Sequence, residues 1–115
     1  MQKTTSSDIL DMDVLNQLKK LFGDNFGSGV DQFLANALKN IVNIEESIES
    51  HDMETLERSS HSLKGASGQF GAIQMSNLAA EMEVYGREGD LDSAKQNVAC
   101  LRTAHEQIAE LMTMV

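Results

Sequence analysis

Residues 52–71 read DMETLERSSHSLKGASGQFG. Leu56, Leu63 and Phe70 recur at intervals of seven, with the small residues Ser60 and Ser67 between them. A seven-residue interval returns a side chain to nearly the same face of a helix of about 3.6 residues per turn. Asp52 is a residue type that caps a helix start, and Gly71 one that ends a helix. The stretch therefore predicts a helix that buries Leu56, Leu63 and Phe70, with serines that let a neighbouring helix come close. Gly65 and Gly68 fit this helix poorly. Glycine in a helix interior costs about 1 kcal/mol relative to alanine, so two of them need a reason.

Helix geometry supplies one. At about 100° per residue, His61 lies roughly 150° from the direction shared by Leu56, Leu63 and Phe70, and it is expected to face solvent. Gly65 and Gly68 fall on the same outward stripe. They leave a flat, open surface beside the imidazole, where another protein can approach closely. Lys64 sits one turn from His61 on the flank of that stripe, where its ammonium can reach an anion held near the ring. A neutral imidazole nitrogen is a nucleophile. The trio thus suits a histidine that accepts a bulky, anionic group, and a phosphoryl group fits. An exposed histidine alone is an ordinary surface residue; the glycine stripe and Lys64 set this one apart.

Working outward, the same periodicity organises the rest of the chain. Before it, Leu10, Val14, Leu18, Leu21 and Phe22 form a first apolar stripe, capped by Asp8 or Asp11 and ended by Gly23, Asp24 and Asn25. A longer amphipathic helix over about residues 28–50 carries Val30, Phe33, Leu34, Ala37, Leu38, Ile41, Ile44 and Ile48. After it, residues 74–85 place Met75, Leu78, Ala79, Met82 and Tyr85 on one face, with Gly86 and Gly89 closing the helix. A last helix starts near Asp90 or Asp92 and runs to the end, with Leu91, Ala94, Val98, Leu101, Ile108, Met112 and Val115 as its stripe. There is no proline, and the connections are short, which favours antiparallel neighbours. The expected fold is all-α: an antiparallel four-helix bundle over residues 8–115 with an additional short N-terminal helix, preceded by a flexible stretch, residues 1–7.

Composition narrows the function. The chain has 115 residues, 41% of them hydrophobic, the size of one domain with one core. Eighteen acidic and nine basic residues give a formal net charge of −9, which argues against nucleic acid and anionic membrane as partners. The acidic residues are spread along the chain, as on solvated helix faces. Cys100 is the only cysteine, so no disulfide can form within the chain and a reducing cytoplasm fits. It is expected to be a part-buried, inert thiol beside Leu101. No signal peptide and no apolar run long enough to span a bilayer is present.

Other motifs read as structure. Gly65, Gly68 and Gly71 lack the Gly-x-x-x-x-Gly-Lys pattern of a phosphate loop and follow no strand. His51 falls in a turn and His105 near the last apolar stripe, without the spacing of a helical metal pair. His105 is expected to be part-buried and hydrogen-bonded. Met75 and Met82 read as adaptable core. No metal or cofactor of its own is expected.

The run His61-Ser62-Leu63-Lys64-Gly65, followed by Gly71-Ala72, resembles the signature of histidine-containing phosphotransfer domains. The resemblance extends to the Asp52 turn, to Leu78 and Met82-Glu83, and to Gly89-Asp90. It implies a four-helix bundle that carries phosphate on an exposed histidine between aspartates of receiver domains. His61 matches the phosphoacceptor, Lys64 the lysine that contacts the phosphoryl group, and Gly65 the glycine that leaves space for it. Glu83 matches the position on the next helix that holds the other ring nitrogen. The implied partners are receiver domains of response regulators or hybrid sensor kinases, with Mg²⁺ on the receiver. The protein is then a monomeric phosphocarrier without turnover of its own. Glu57, Arg58, Ser62, Gly68 and Gln69, which flank His61, are the nominated docking surface. The alternative is a helical adaptor that binds and sequesters a receiver or kinase domain without being phosphorylated. Such an adaptor has no need of the intact set His61, Lys64, Gly65 and Glu83.

Overall fold

The structure, a computed structural model, describes residues 6–114, with side-chain surroundings from residue 8. Of the stretch expected to be flexible, residues 1–5 lie outside the described residues. The elements are α1 (Ser6–Ile9), α2 (Met12–Phe22), a 3-10 turn (Gly23–Asn25), α3 (Phe26–Glu49), α4 (Met53–Gln69), α5 (Ile73–Glu88), α6 (Leu91–Asn97) and α7 (Ala99–Thr113). No strand occurs among the described residues.

Aspartates start three of these helices. Asp11 accepts from the N–H groups of Asp13 and Val14, Asp52 from that of Thr55, and Asp90 from that of Ser93. Each satisfies a backbone donor that has no partner within its helix. Gly71 and Gly89 end α4 and α5 with φ of +74° and +72°, a conformation glycine adopts without steric cost. The turns between α3, α4 and α5 are only about three residues long, so each helix folds back on the one before it.

Helices α3, α4, α5 and the α6–α7 pair form the four-helix bundle. Leu15, Ile41, Ile44, Leu56, Leu63, Met75, Met82, Leu101 and Ile108 fill its centre. At one end Phe70 stacks on Phe33, with ring centroids 4.6 Å apart, and lies 6.4 Å from Phe22. This cluster joins α2, α3 and the α4–α5 turn. The same turn receives the N-terminal segment, where the Asp11 N–H donates to the Gly71 carbonyl at 2.7 Å.

Four local expectations are corrected. The first apolar stripe is broken, because Leu10 lies between α1 and α2 and Asp11 starts a new helix. Counting from that cap turns Leu15 into the core and leaves Leu21 77% exposed. Gly86 does not close α5; it lies buried inside the helix. The last helix is interrupted at Val98, next to Asn97, whose side-chain amide donates to the Ser93 carbonyl at 2.8 Å and so competes for the backbone acceptor of that turn. With Leu101 turned into the core by α7, Cys100 faces outward and is exposed rather than part-buried.

Candidate functional site

Helices α4 and α5 approach closely because their facing residues are small. A Cβ on Gly86 would meet the Glu57 backbone nitrogen at 2.7 Å and its Cα at 3.0 Å. One end of the same interface is tied by Ser76, whose hydroxyl donates to the Lys64 carbonyl at 3.1 Å. Ser60 and Ser67, both fully buried on α4, keep the packing tight. This approach brings Glu83 of α5 under His61 and Lys64 of α4.

The His61 side chain is 68% exposed and that of Glu83 only 9%. His61 Nδ1 lies 2.7 Å from Glu83 Oε2, and Lys64 Nζ donates to Glu83 Oε1 at 2.6 Å. The Lys64 ammonium, with the His61 contact adding to it, holds the Glu83 carboxyl below the usual carboxylate range against the opposing effect of burial. An ionised carboxylate only accepts, so Nδ1 carries the proton and donates. In the neutral ring the lone pair is then on Nε2.

Gly65 is exposed, and a Cβ there would meet nothing within 4 Å. A Cβ on Gly68 would touch only the Ser76 hydroxyl, at 3.7 Å. The glycine stripe therefore serves no packing within the chain, as its outward direction implies. The structure thus brings His61, Lys64 and Glu83 into direct contact and places Gly65 on the open ridge beside them. Lys64, which the sequence aims at an incoming anion, rests on Glu83 here.

Of the nominated docking residues, Arg58, Ser62, Gly68 and Gln69 are exposed on α4. Glu57 is half-buried and engaged, accepting from Arg87 Nε at 3.1 Å. Arg87 is the site residue that sequence reasoning missed. Its Nη2 stands 3.7 Å from Glu83 Oε2. The four-residue interval from Glu83 to Arg87 on one helix was the available signal; the link to Glu57 on another helix left none. Beyond Gln69, a cavity of about 530 Å³ opens between α3 and the end of α4, bordered by Phe22, Phe33 and Phe70.

The other histidines lie elsewhere. His105 is half-buried, and its Nε2 lies 2.9 Å from the Leu34 carbonyl, in keeping with a structural role. His51 is exposed in the α3–α4 turn. No cluster of three or more His, Cys, Asp or Glu side chains suited to a metal ion occurs among the described residues.

Chemically, the site offers an oriented, exposed nitrogen nucleophile backed by a carboxylate. The carboxylate stands behind the ring, where it opposes any positive charge that develops there, and the Lys64 ammonium is bonded to the same carboxylate.

Comparisons with known proteins bear on the family and the fold. A family model described as the Hpt domain matches residues 29–111, which takes in most of α3 and nearly all that follows. No curated protein sequence matches the chain. Among solved structures, histidine-containing phosphotransfer protein B from Pseudomonas aeruginosa PAO1 is 23% identical, with a TM-score of 0.91 over 95% of each chain. A putative histidine-containing phosphotransfer protein from rice is 22% identical, with a TM-score of 0.79 over 90% of this chain and 77% of that one. The yeast phosphorelay protein YPD1 is 22% identical, with a TM-score of 0.65 over 75% of this chain and 55% of its own. At these identities the likeness bears on the fold.

Proposed function

The chain belongs to the Hpt domain family, and from that premise we propose that it is a phosphorelay intermediate. His61 takes a phosphoryl group from the phosphorylated aspartate of one receiver domain and passes it to the aspartate of another. The observation that carries this reading is the 2.7 Å contact between Nδ1 of an exposed ring and a nearly buried carboxylate. It leaves Nε2 as the one nucleophilic nitrogen and presents it to solvent.

The transfer balances simply. The Nε2 lone pair attacks phosphorus in line, the bond between phosphorus and the aspartyl oxygen breaks, and its electrons leave with the aspartate carboxylate. The proton on Nδ1 stays in place, so the ring becomes cationic opposite Glu83. Lys64 pairs with the phosphoryl oxygens, and the surface at Gly65 gives them room. This is catalysis by positioning and charge neutralisation. Mg²⁺ belongs to the receiver in this scheme, and the chain acts as a phosphocarrier without turnover of its own.

Receivers dock on the α4 face around Glu57, Arg58, Ser62, Gly68 and Gln69. A formal net charge of −9 supports a protein partner over nucleic acid or an anionic membrane. No helix among the described residues is long and apolar enough to cross a membrane. We place the protein in the cytoplasm, a reading supported by its single cysteine, which can form no disulfide within the chain, and take it to act as a monomer.

The test is phosphotransfer from a radiolabelled, phosphorylated receiver to the wild-type chain and to His61→Gln. The wild-type chain is expected to take up acid-labile, base-stable label and the variant none. Label of that kind on His61→Gln removes His61 from its role. A wild-type chain that binds receivers and takes up no label is the adaptor instead.

A further inference from the structure

A second cavity, of about 370 Å³, opens between α5 and α7. Gln74 and Leu78 line it from one turn of α5, Thr103 and Gln107 from one turn of α7, and Ala99 and Cys100 from the start of α7. None of these residues belongs to α4, so the cavity is separate from the His61 site. Ala99, Cys100 and Thr103 are exposed and form its mouth, while Gln74, Leu78 and Gln107 are half-buried.

Two atoms here lack what burial demands. The Oε1 oxygens of Gln74 and Gln107 are both shut off from solvent, and neither accepts a hydrogen bond within the protein. A buried carbonyl oxygen without a donor costs the free energy of its lost hydration. The other lining residues supply little to offset this. Thr103 directs its hydroxyl to the Ala99 carbonyl at 3.5 Å, and the Cys100 thiol is a weak donor.

The chemistry of an occupant follows from this lining. It must bring two donors, and an NH2 group carries two where a hydroxyl carries one. An ammonium also carries enough, but no carboxylate lines the cavity to balance its charge, and a charge taken out of water without a partner is costly. A carboxylate would oppose the two amide oxygens. Leu78 and Ala99 supply apolar wall, and the volume lies in the range of small-ligand pockets.

We propose that the α5–α7 cavity binds a small uncharged molecule with an apolar body and a primary amide, whose two N–H groups donate to Gln74 Oε1 and Gln107 Oε1. The inference does not depend on phosphorylation of His61.

Cys100 is the only cysteine and stands at the mouth, so its reactivity reports occupancy. The test follows the reaction of the whole chain with N-ethylmaleimide while benzamide is titrated. Benzamide is expected to slow modification of Cys100 several-fold and saturably. N,N-Dimethylbenzamide, which has a similar body and no N–H, and benzoate, which is charged, are expected to leave the rate unchanged. Gln74→Met and Gln107→Met keep the side-chain length and remove the oxygen, and each is expected to abolish the protection. Since the oxygen is unpaired, each is also expected to keep or raise the urea midpoint, which confirms that the fold is intact. Benzamide that gives no protection overturns the inference, because the oxygens then hold water alone. Equal protection by N,N-dimethylbenzamide overturns it too, because the cavity then takes any apolar body. So does protection that survives in both methionine variants, or a lower urea midpoint in each, which reveals an internal partner for the amides.

Discussion

Gly86 of α5 lies against the backbone of Glu57 of α4 so closely that a Cβ would come within 2.7 Å of the Glu57 nitrogen. Backbone atoms give way far less readily than the end of a flexible side chain. The contact therefore sets the separation of the two helices that carry the site, three residues from Glu83 and four from His61.

Gly86→Ala should accordingly push α5 away from α4. Overpacking of this kind costs about 1–3 kcal/mol, offset by about 1 kcal/mol of helix propensity. A lower urea midpoint is expected together with slower phosphoryl uptake, because Glu83 no longer reaches Nδ1. Unchanged uptake in a folded Gly86→Ala chain shows that the site does not depend on this contact.

Gly65→Ala separates stability from function. The added Cβ meets nothing within 4 Å, and alanine favours the helix by about 0.5–1 kcal/mol, so the urea midpoint should rise. Transfer from a receiver should slow by about tenfold or more, since a misplacement of about 1 Å can cost about 100-fold. A stabilised variant that transfers at the wild-type rate leaves the open surface beside His61 without a role.

Gly71 and Gly89 share nearly the same positive φ, +74° and +72°, but not the same surroundings. A Cβ on Gly71 would meet the Asp11 carbonyl oxygen at 2.9 Å and Val14 at 3.2 Å, while one on Gly89 would meet nothing within 4 Å. Gly89→Ala should cost only the left-handed conformation, about 1–2 kcal/mol. Gly71→Ala should cost clearly more, because α2 must also move from the α4–α5 turn. Equal losses in paired urea denaturation curves would mean that the N-terminal segment adds nothing there.

Acid should weaken the fold through named carboxyls. Lys64 holds Glu83 below the usual carboxylate range, Arg102 does the same for Glu45, and hydrogen bonds from Thr55 and Ser93 do so for Asp52 and Asp90. A carboxyl whose folded value lies below its unfolded value gives its full stabilisation above the unfolded value. It loses that stabilisation as the pH falls through the folded value. The urea midpoint should therefore hold steady from neutral pH to the ordinary carboxylate range and fall below it. Asp52→Asn keeps a good cap and Glu83→Gln keeps a hydrogen-bond acceptor, yet both should flatten the acid fall. An acid limb as steep as the wild-type one in the double variant assigns it to other groups.

The elements that ran most regularly in sequence were the ones read most accurately. The α3 and α4 helices follow uninterrupted apolar stripes, and Asp52 caps where a cap was expected. The errors fall at Leu10 and Leu21, at Gly86, at the break at Val98 and at Cys100. Each depends on where a helix breaks or on what lies across an interface. Leu10 has the spacing of a helical residue, but the hydrogen bond from Asp11 to Gly71, on a distant segment, holds the chain at the break. Gly86 has the composition of a terminator, and only the Glu57 backbone beside it explains its place inside a helix.

By itself the sequence determined which way His61 faces and which residues share its ridge. The angle around a helix follows from local backbone geometry, which neighbouring residues specify among themselves. The resemblance of the His61 run added Glu83 as a partner, without its distance. Tertiary structure alone decided that Lys64 rests on Glu83 and that Arg87 stands between Glu83 and Glu57. The contacts from His61 and Lys64 to Glu83 and from Arg87 to Glu57 join residues 22, 19 and 30 apart in sequence, on helices whose separation is set by packing. A shift of an ångström between α4 and α5 would leave every helical periodicity intact and break those hydrogen bonds.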